Sequence, residues 1–130
     1  MSISKLMKKL KVLICDDSKL VRLKLKDALE EIESLACDFE IFEAEDGAES
    51  VEIYKAKKPD LIFLDIIMPK KSGVEVVKEI INFDKDAKII MASSVGTKEN
   101  LQHALENGAK DFIQKPLNKD KIEKVIKKFI

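Results

Sequence analysis

Apolar runs of strand length alternate with amphipathic helical patterns five times along this chain. Lys11–Cys15 is followed by a helical pattern from about Ser18 to Glu33, with Val21, Leu25, Ala28, Leu29 and Ile32 on one face. Phe39–Phe42 is a mixed strand, and the helix after Gly47 carries Val51 and Tyr54. Leu61–Leu64 leads through Met68-Pro69-Lys70-Lys71-Ser72-Gly73 to a helix with Val74, Val77, Ile80 and Ile81 inward. Ile89–Ala92 precedes a helix opening near Thr97, whose inner face is Leu101, Ala104 and Leu105. Lys110–Gln114 leads past Pro116 to a last helix with Ile122, Val125, Ile126 and Phe129 at helical spacing.

Strands alternating with helices predict right-handed crossovers and a parallel α/β sheet covered on both faces. The runs after Lys11, Pro59 and Lys88 are continuously hydrophobic, as central strands buried on both sides must be. Phe39-Glu40-Ile41-Phe42 and Asp111-Phe112-Ile113-Gln114 mix in polar residues, which suits sheet edges. Central strands 1, 3 and 4 with edges 2 and 5 fit the order 2-1-3-4-5. That order puts a topological switch between strands 1 and 3, where ligands of open parallel sheets bind.

At 130 residues the chain is long enough to bury a core without disulfides or a structural metal. Its 24 basic and 24 acidic residues balance, so no overall field points to nucleic acid or a membrane surface. The lysines of the last helix (Lys119, Lys121, Lys124, Lys127, Lys128) read as a solvated face. Cys15 and Cys37 form no C-x-x-C pair, and Cys15 reads as a small buried hydrophobe. The Lys-rich N-terminus has no apolar stretch of signal-peptide length and nothing is long enough to span a bilayer, so the cytoplasm is the expected compartment.

The chemistry gathers at the strand ends. Strand 1 ends in Asp16-Asp17 and strand 3 in Asp65; strand 4 delivers Ser93 and Ser94, and strand 5 delivers Lys115 beside Pro116. Carboxylates converging at the switch repel by several kcal/mol per pair at ~4 Å and an effective dielectric of ~20. One ammonium against three acids leaves a deficit that a divalent cation closes, and an all-oxygen pocket suits Mg²⁺. A carboxylate oxygen could then attack a phosphoryl group while metal, lysine and hydroxyl absorb the charge on its oxygens. His103 beside Gln102 reads as exposed and non-catalytic, and Asp46-Gly47 as a turn before a helix.

Asp16-Asp17, Asp65-Ile66-Ile67-Met68-Pro69, Ser93-Ser94 and Lys115-Pro116, in this order, resemble the receiver domain of two-component response regulators over essentially the whole chain. The resemblance implies a flavodoxin-like doubly wound fold with five helices, in which Asp65 is the phosphoacceptor. It implies that Asp17, Asp65 and the Ile67 backbone carbonyl ligate Mg²⁺, with Asp16 orienting metal-bound water. Ser93 would hydrogen-bond a phosphoryl oxygen and Lys115 would pair with another. Phe112 stands where the family has a switching aromatic, most often tyrosine, and the Lys115–Pro116 bond is commonly cis there. A sensor histidine kinase or phosphotransfer protein docking near the first helix would donate the phosphoryl group. Ser93 and Phe112 would then reshape the surface of the fourth helix, fifth strand and fifth helix for a target. The expected agent is a phosphoacceptor and not a turnover enzyme.

Ile67 and Val95 lie where a hydrolytic water would have to be guided. Both are apolar and branched, so slow self-dephosphorylation is expected. The stretch between Asp17 and Gly47 is longer than usual for the family, around Ser34–Asp38. A flavin carrier of the same strand order would need a Ser/Thr/Gly-rich phosphate loop after strand 1, and two acids stand there. A haloacid-dehalogenase phosphatase would need Asp-x-Asp, whereas Asp17 is followed by Ser18-Lys19. A pseudo-receiver would have lost an acid or the lysine. The chain ends after its fifth helix, so the expectation is one receiver over residues 1–130, with 1–9 a short extension, acting as a monomer. Ile89–Gly96 looks like the chemotaxis group, whose target would be a flagellar motor switch protein. The alternative is a phosphorelay intermediate passing the group to a second phosphotransfer protein.

Overall fold

The computed structural model describes residues 8–32, 37–94 and 96–129. Within them strand and helix alternate as β1 (Lys8–Cys15), α1 (Lys19–Glu30), β2 (Cys37–Ala44), α2 (Gly47–Lys57) and β3 (Leu61–Asp65). There follow α3 (Gly73–Phe83), β4 (Ile89–Ser93), α4 (Lys98–Glu106), β5 (Asp111–Gln114) and α5 (Lys119–Ile126). All strand pairs are parallel, in the order β2-β1-β3-β4-β5. This is the doubly wound architecture that the alternation of apolar runs predicts.

Side chains alternate across the sheet and feed two cores. Leu13, Ile62, Leu64, Ile89 and Met91 pack against Val51 and Tyr54 of α2, Val76, Val77 and Ile80 of α3, and Ala104 of α4. Val12, Ile14, Phe63, Ile90 and Ile113 pack on the opposite face, against Leu25 and Leu29 of α1 and Ile122 and Ile126 of α5. Every residue of β3 and β4 is buried, whereas β5 exposes Phe112 and Gln114, so edge and centre separate as their composition demands.

Most strand-to-helix junctions carry a side-chain cap. Ser18, Asp46, Ser72 and Asn118 accept the backbone N–H groups of Val21, Glu49, Glu75 and Lys121. The Asp46 oxygen lies 2.8 Å from the Glu49 nitrogen.

Boundaries depart from the sequence reading by more than one residue at β1, β2 and α1. β1 begins at Lys8, inside the expected extension, because Lys8–Leu10 pair with Cys37–Phe39; three lysines in its first four residues conceal a strand that only its edge partner completes. β2 likewise runs beyond Phe39–Phe42 at both ends, and α1 stops at Glu30 where Glu33 was expected. On α3 Val77 and Ile80 point inward as expected, joined by Val76, while Val74 and Ile81 are only partly buried. No helix among the described residues is long and apolar enough to cross a membrane.

Candidate functional site

Register explains how distant residues meet. Cys15 pairs with Leu64, so the next residues, Asp16 just past β1 and Asp65 at the end of β3, share a rung. Asp65 pairs with Ala92 and Ser93 with Gln114, so Ser93 stands one rung beyond Asp65 and Lys115 two. The Lys115 N–H donates to the Ser93 carbonyl at 2.6 Å, and the Asp16 N–H to the Ala44 carbonyl at 3.1 Å, prolonging the ladder past both strand ends.

Asp16, Asp17 and Asp65 each place a carboxylate oxygen within 4.8 Å of the others. Asp16 and Asp65 are buried and Asp17 is exposed, so the cluster opens to solvent on one side. Lys115 Nζ lies 3.0 Å from Asp16 Oδ2 and 3.4 Å from Asp65 Oδ2. Three acids against one ammonium leave a formal charge of −2 (−3 + 1). Burial first, and the Asp16 charge second, raise the Asp65 carboxyl above its ordinary range; Lys115 and the Ile67 N–H offset only part of this. Burial alone would lower Lys115, but the hydrogen bond to Asp16 and the charge of Asp65 hold its ammonium above the ordinary lysine value. An all-oxygen, half-open set with surplus negative charge fits a hard divalent cation that keeps some of its water, as Mg²⁺ does.

The loop after β3 is shaped by two glycines. A Cβ on Gly73 would sit 2.5 Å from the Asp65 carbonyl oxygen, and one on Gly47 would collide with the Lys71 carbonyl oxygen. Both contacts are with backbone, so no rotamer relieves them. The loop is tied down by the Gly73 N–H to the Ile66 carbonyl at 2.7 Å and the Gly47 N–H to the Pro69 carbonyl at 3.2 Å. Lys70, in the left-handed region at φ 67°, adds an ion pair to Asp46 at 3.3 Å.

The remaining expected residues divide. Ser93 is buried and its hydroxyl donates toward the Ile113 carbonyl at 3.5 Å, a long contact that holds it only weakly. Ser94 is exposed, and its carbonyl and N–H are taken by Thr97 Oγ1 at 2.6 and 3.2 Å. Phe112 is 46% exposed and lines a groove of about 410 Å³ together with Ser93, Thr97 and Leu101. Ile67 is 55% exposed at the mouth of the β3–α3 loop. His103 is exposed, between Glu99 and Glu106 on the surface of α4. Cys15 is buried, and burial pushes its thiol up to about 12, which makes it inert. The Lys115–Pro116 bond is cis. Val95 and residues 34–36 of the long Ser34–Asp38 stretch lie outside the described residues.

Sequence reasoning passed over Arg22, and it placed Gly47 and Gly73 only in a turn and a loop, without the backbone contacts that require them. Arg22 is buried on α1 with its guanidinium 2.6 Å from the Asp16 carbonyl oxygen. Its signal was a cation at an inward position of the same helical series as Leu25 and Leu29.

Residues 12–127 match the response regulator receiver domain. The chemotaxis protein CheY of Halobacterium salinarum is 44% identical over 112 residues, covering 85% of this chain and 88% of that protein. CheY of Bacillus subtilis is 41% identical over 119 residues, covering 91% and 95%. The crystal structure of the CheX–CheY–BeF₃–Mg²⁺ complex from Borrelia burgdorferi superposes with a TM-score of 0.80 at 35% identity, covering 93% of this chain and 90% of that one. Chemotaxis protein CheY4 of Vibrio cholerae gives 0.82 at 27% identity, covering 94% and 99%.

Proposed function

This chain belongs to the response regulator receiver family, with CheY proteins of chemotaxis among its relatives, and from that premise we propose that Asp65 accepts a phosphoryl group from a phosphohistidine. The observation that carries the reading is the meeting of Asp16, Asp17, Asp65 and Lys115 at one end of the sheet. An Asp65 carboxylate oxygen attacks phosphorus in line; the new O–P bond forms as the N–P bond breaks, and the imidazole departs with the electron pair. Lys115 screens the incoming oxygens and Ser93 meets another of them. Asp16, Asp17, Asp65 and the Ile67 carbonyl would hold Mg²⁺, which when bound supplies the positive charge that lets an anionic donor approach three acids. The bound metal and beryllofluoride of the Borrelia complex support this choice by likeness.

Switching rests on Ser93 and Phe112. The serine hydroxyl is only loosely engaged, so a new anion at Asp65 can draw it away from β5. The Phe112 ring then turns into the groove beside Ser93, driven by burial of its exposed surface. Contacts made only by the phosphorylated form bias two states that already exist. The surface of α4, β5 and α5 changes with it and engages a chemotaxis target: a flagellar switch protein, or a partner such as the CheX of the Borrelia complex. Lacking a hydroxyl, Phe112 gates by packing alone.

A phosphohistidine donor would dock where α1 leaves the active edge. Leu20 is 60% and Leu23 50% exposed there, and Ile67 faces solvent on the neighbouring loop. A relay intermediate would use the same surface for transfer in both directions, so this feature keeps the phosphorelay alternative open. The test is intact-mass analysis after incubation with acetyl phosphate and Mg²⁺. The wild type gains one phosphoryl group; Asp65→Asn, or wild type in EDTA, gains none. Labelling of Asp65→Asn would overturn the assignment. Capture with and without beryllofluoride separates a switch protein from a second phosphotransfer protein.

A further inference from the structure

Arg22 is a buried cation that the phosphoryl-transfer scheme leaves unused. It is 9% exposed on the inward side of α1. Its Nη1 donates to the Asp16 carbonyl oxygen at 2.6 Å and its Nε to Glu43 Oε1 at 3.0 Å. Glu43 also accepts from Lys26 Nζ at 3.3 Å. Partial burial would raise the Glu43 carboxyl, but Arg22 and Lys26 hold it below the ordinary range, so the anchor stays ionised at neutral pH. On its other side Asp16 donates its own N–H, that of the preceding peptide, to the Ala44 carbonyl at 3.1 Å. Asp16 is therefore clamped by β2 through its nitrogen and by α1 through its oxygen. The carbonyl that Arg22 holds belongs to the peptide that joins Asp16 to Asp17.

We propose that Arg22 is a positioning residue for the divalent-cation site: by fixing the Asp16–Asp17 peptide against Glu43 it aims the two carboxylates into the pocket. The inference rests on the Mg²⁺ reading above. A planar guanidinium can serve the carbonyl and the carboxylate at once from one rigid fork; a lysine ammonium on a flexible stem cannot hold both in the same geometry. The alternative, that Arg22 acts simply as a charge, has the opposite sign. A cation behind a cation site weakens it, so removing the charge alone would tighten Mg²⁺ binding. Removing a positioning contact loosens it.

The test uses the full chain as wild type, Arg22→Met, Arg22→Lys and Glu43→Gln. Mg²⁺ alone is titrated, followed by the amide resonances of Asp17 and Asp65, with melts in EDTA to establish that each variant is folded. Both Arg22 variants are expected to bind Mg²⁺ about 10-fold more weakly, the scale found when the partner that orients a metal ligand is removed. Glu43→Gln, which keeps Arg22 but slackens its anchor, moves the same way by less. Binding by Arg22→Lys equal to or tighter than wild type overturns the proposal, and so does tighter binding by Arg22→Met. If Arg22→Met does not fold, Arg22→Lys decides, since it keeps the charge and loses the fork. A wild type that shows no Mg²⁺ titration would instead bring down the metal reading itself.

Discussion

The Lys115 ammonium lies 3.4 Å from the Asp65 carboxylate, tying the residue after the edge strand β5 to the end of the central strand β3. The pair spans the width of β4, so it couples charge in the pocket to the placement of the most exposed strand. Lys115→Ala leaves the acids without their ammonium. Phosphorylation by acetyl phosphate at saturating Mg²⁺ should slow by about 100-fold, as when one preorganised donor is removed from a site of developing charge. Because the folded lysine is raised above its ordinary value, its contribution to stability is complete below about pH 10.4 and is lost as pH climbs through the raised value. Alkaline melts of wild type and Lys115→Ala should converge there.

Asp65 carries the opposite message. A carboxyl whose folded value is raised favours the fold while protonated, and that advantage disappears as pH rises through the folded value. At neutral pH the metal-free protein therefore carries a penalty that Asp65→Asn removes. Melts in EDTA at pH 7 should place Asp65→Asn a few degrees above wild type. The gap should close below about pH 4, where the wild-type carboxyl is protonated as well.

Cation binding should relieve the same repulsion. Mg²⁺ at 100 times its dissociation constant stabilises a protein that binds it only when folded by about 2.7 kcal/mol. Wild type should gain several degrees in Tm on Mg²⁺ addition, reversibly with EDTA, and Asp65→Asn, with one donor fewer, distinctly less.

Exposed Ile67 offers no group to orient a water beside Asp65. Ile67→Asn combined with Val95→Glu supplies polar side chains at both expected flanks and should speed the decay of phospho-Asp65 several-fold, followed by loss of the phosphoryl mass. An unchanged decay rate would defeat the shielding idea.

Gly73→Ala puts a methyl group 2.5 Å from the Asp65 carbonyl oxygen. Backbone must shift to make room, at a cost of about 1–3 kcal/mol. Denaturant titration should show that loss, and the displaced strand end should phosphorylate more slowly.

The sheet and its order were legible because burial on two faces leaves a composition signature: continuous apolar runs for the Val12–Cys15 half of β1, for β3 and for β4, mixed ones for β2 and β5. The acids and Lys115 were legible for a related reason, since a charge at the end of an apolar run has one edge of the sheet to occupy. What stayed hidden depends on contacts between elements distant in sequence. Lys8–Leu10 look like a charged tail until β2 is beside them. Arg22 looks like one more surface cation on a Lys-rich helix until the Asp16 carbonyl and Glu43 come within reach. Gly47 and Gly73 are required by the backbone they touch, and a sequence does not record which backbone that is.

The crowding at Gly73 separates two kinds of selection. A duplicated copy released from signalling would still be obliged to keep glycine there for as long as it kept this chain path, because the obstacle is main chain. Lys115 has no such protection: once its acids drift, a half-buried ammonium is left facing nothing and is free to be replaced. Among diverging paralogues, glycine at 73 would report inherited shape, and lysine at 115 inherited chemistry.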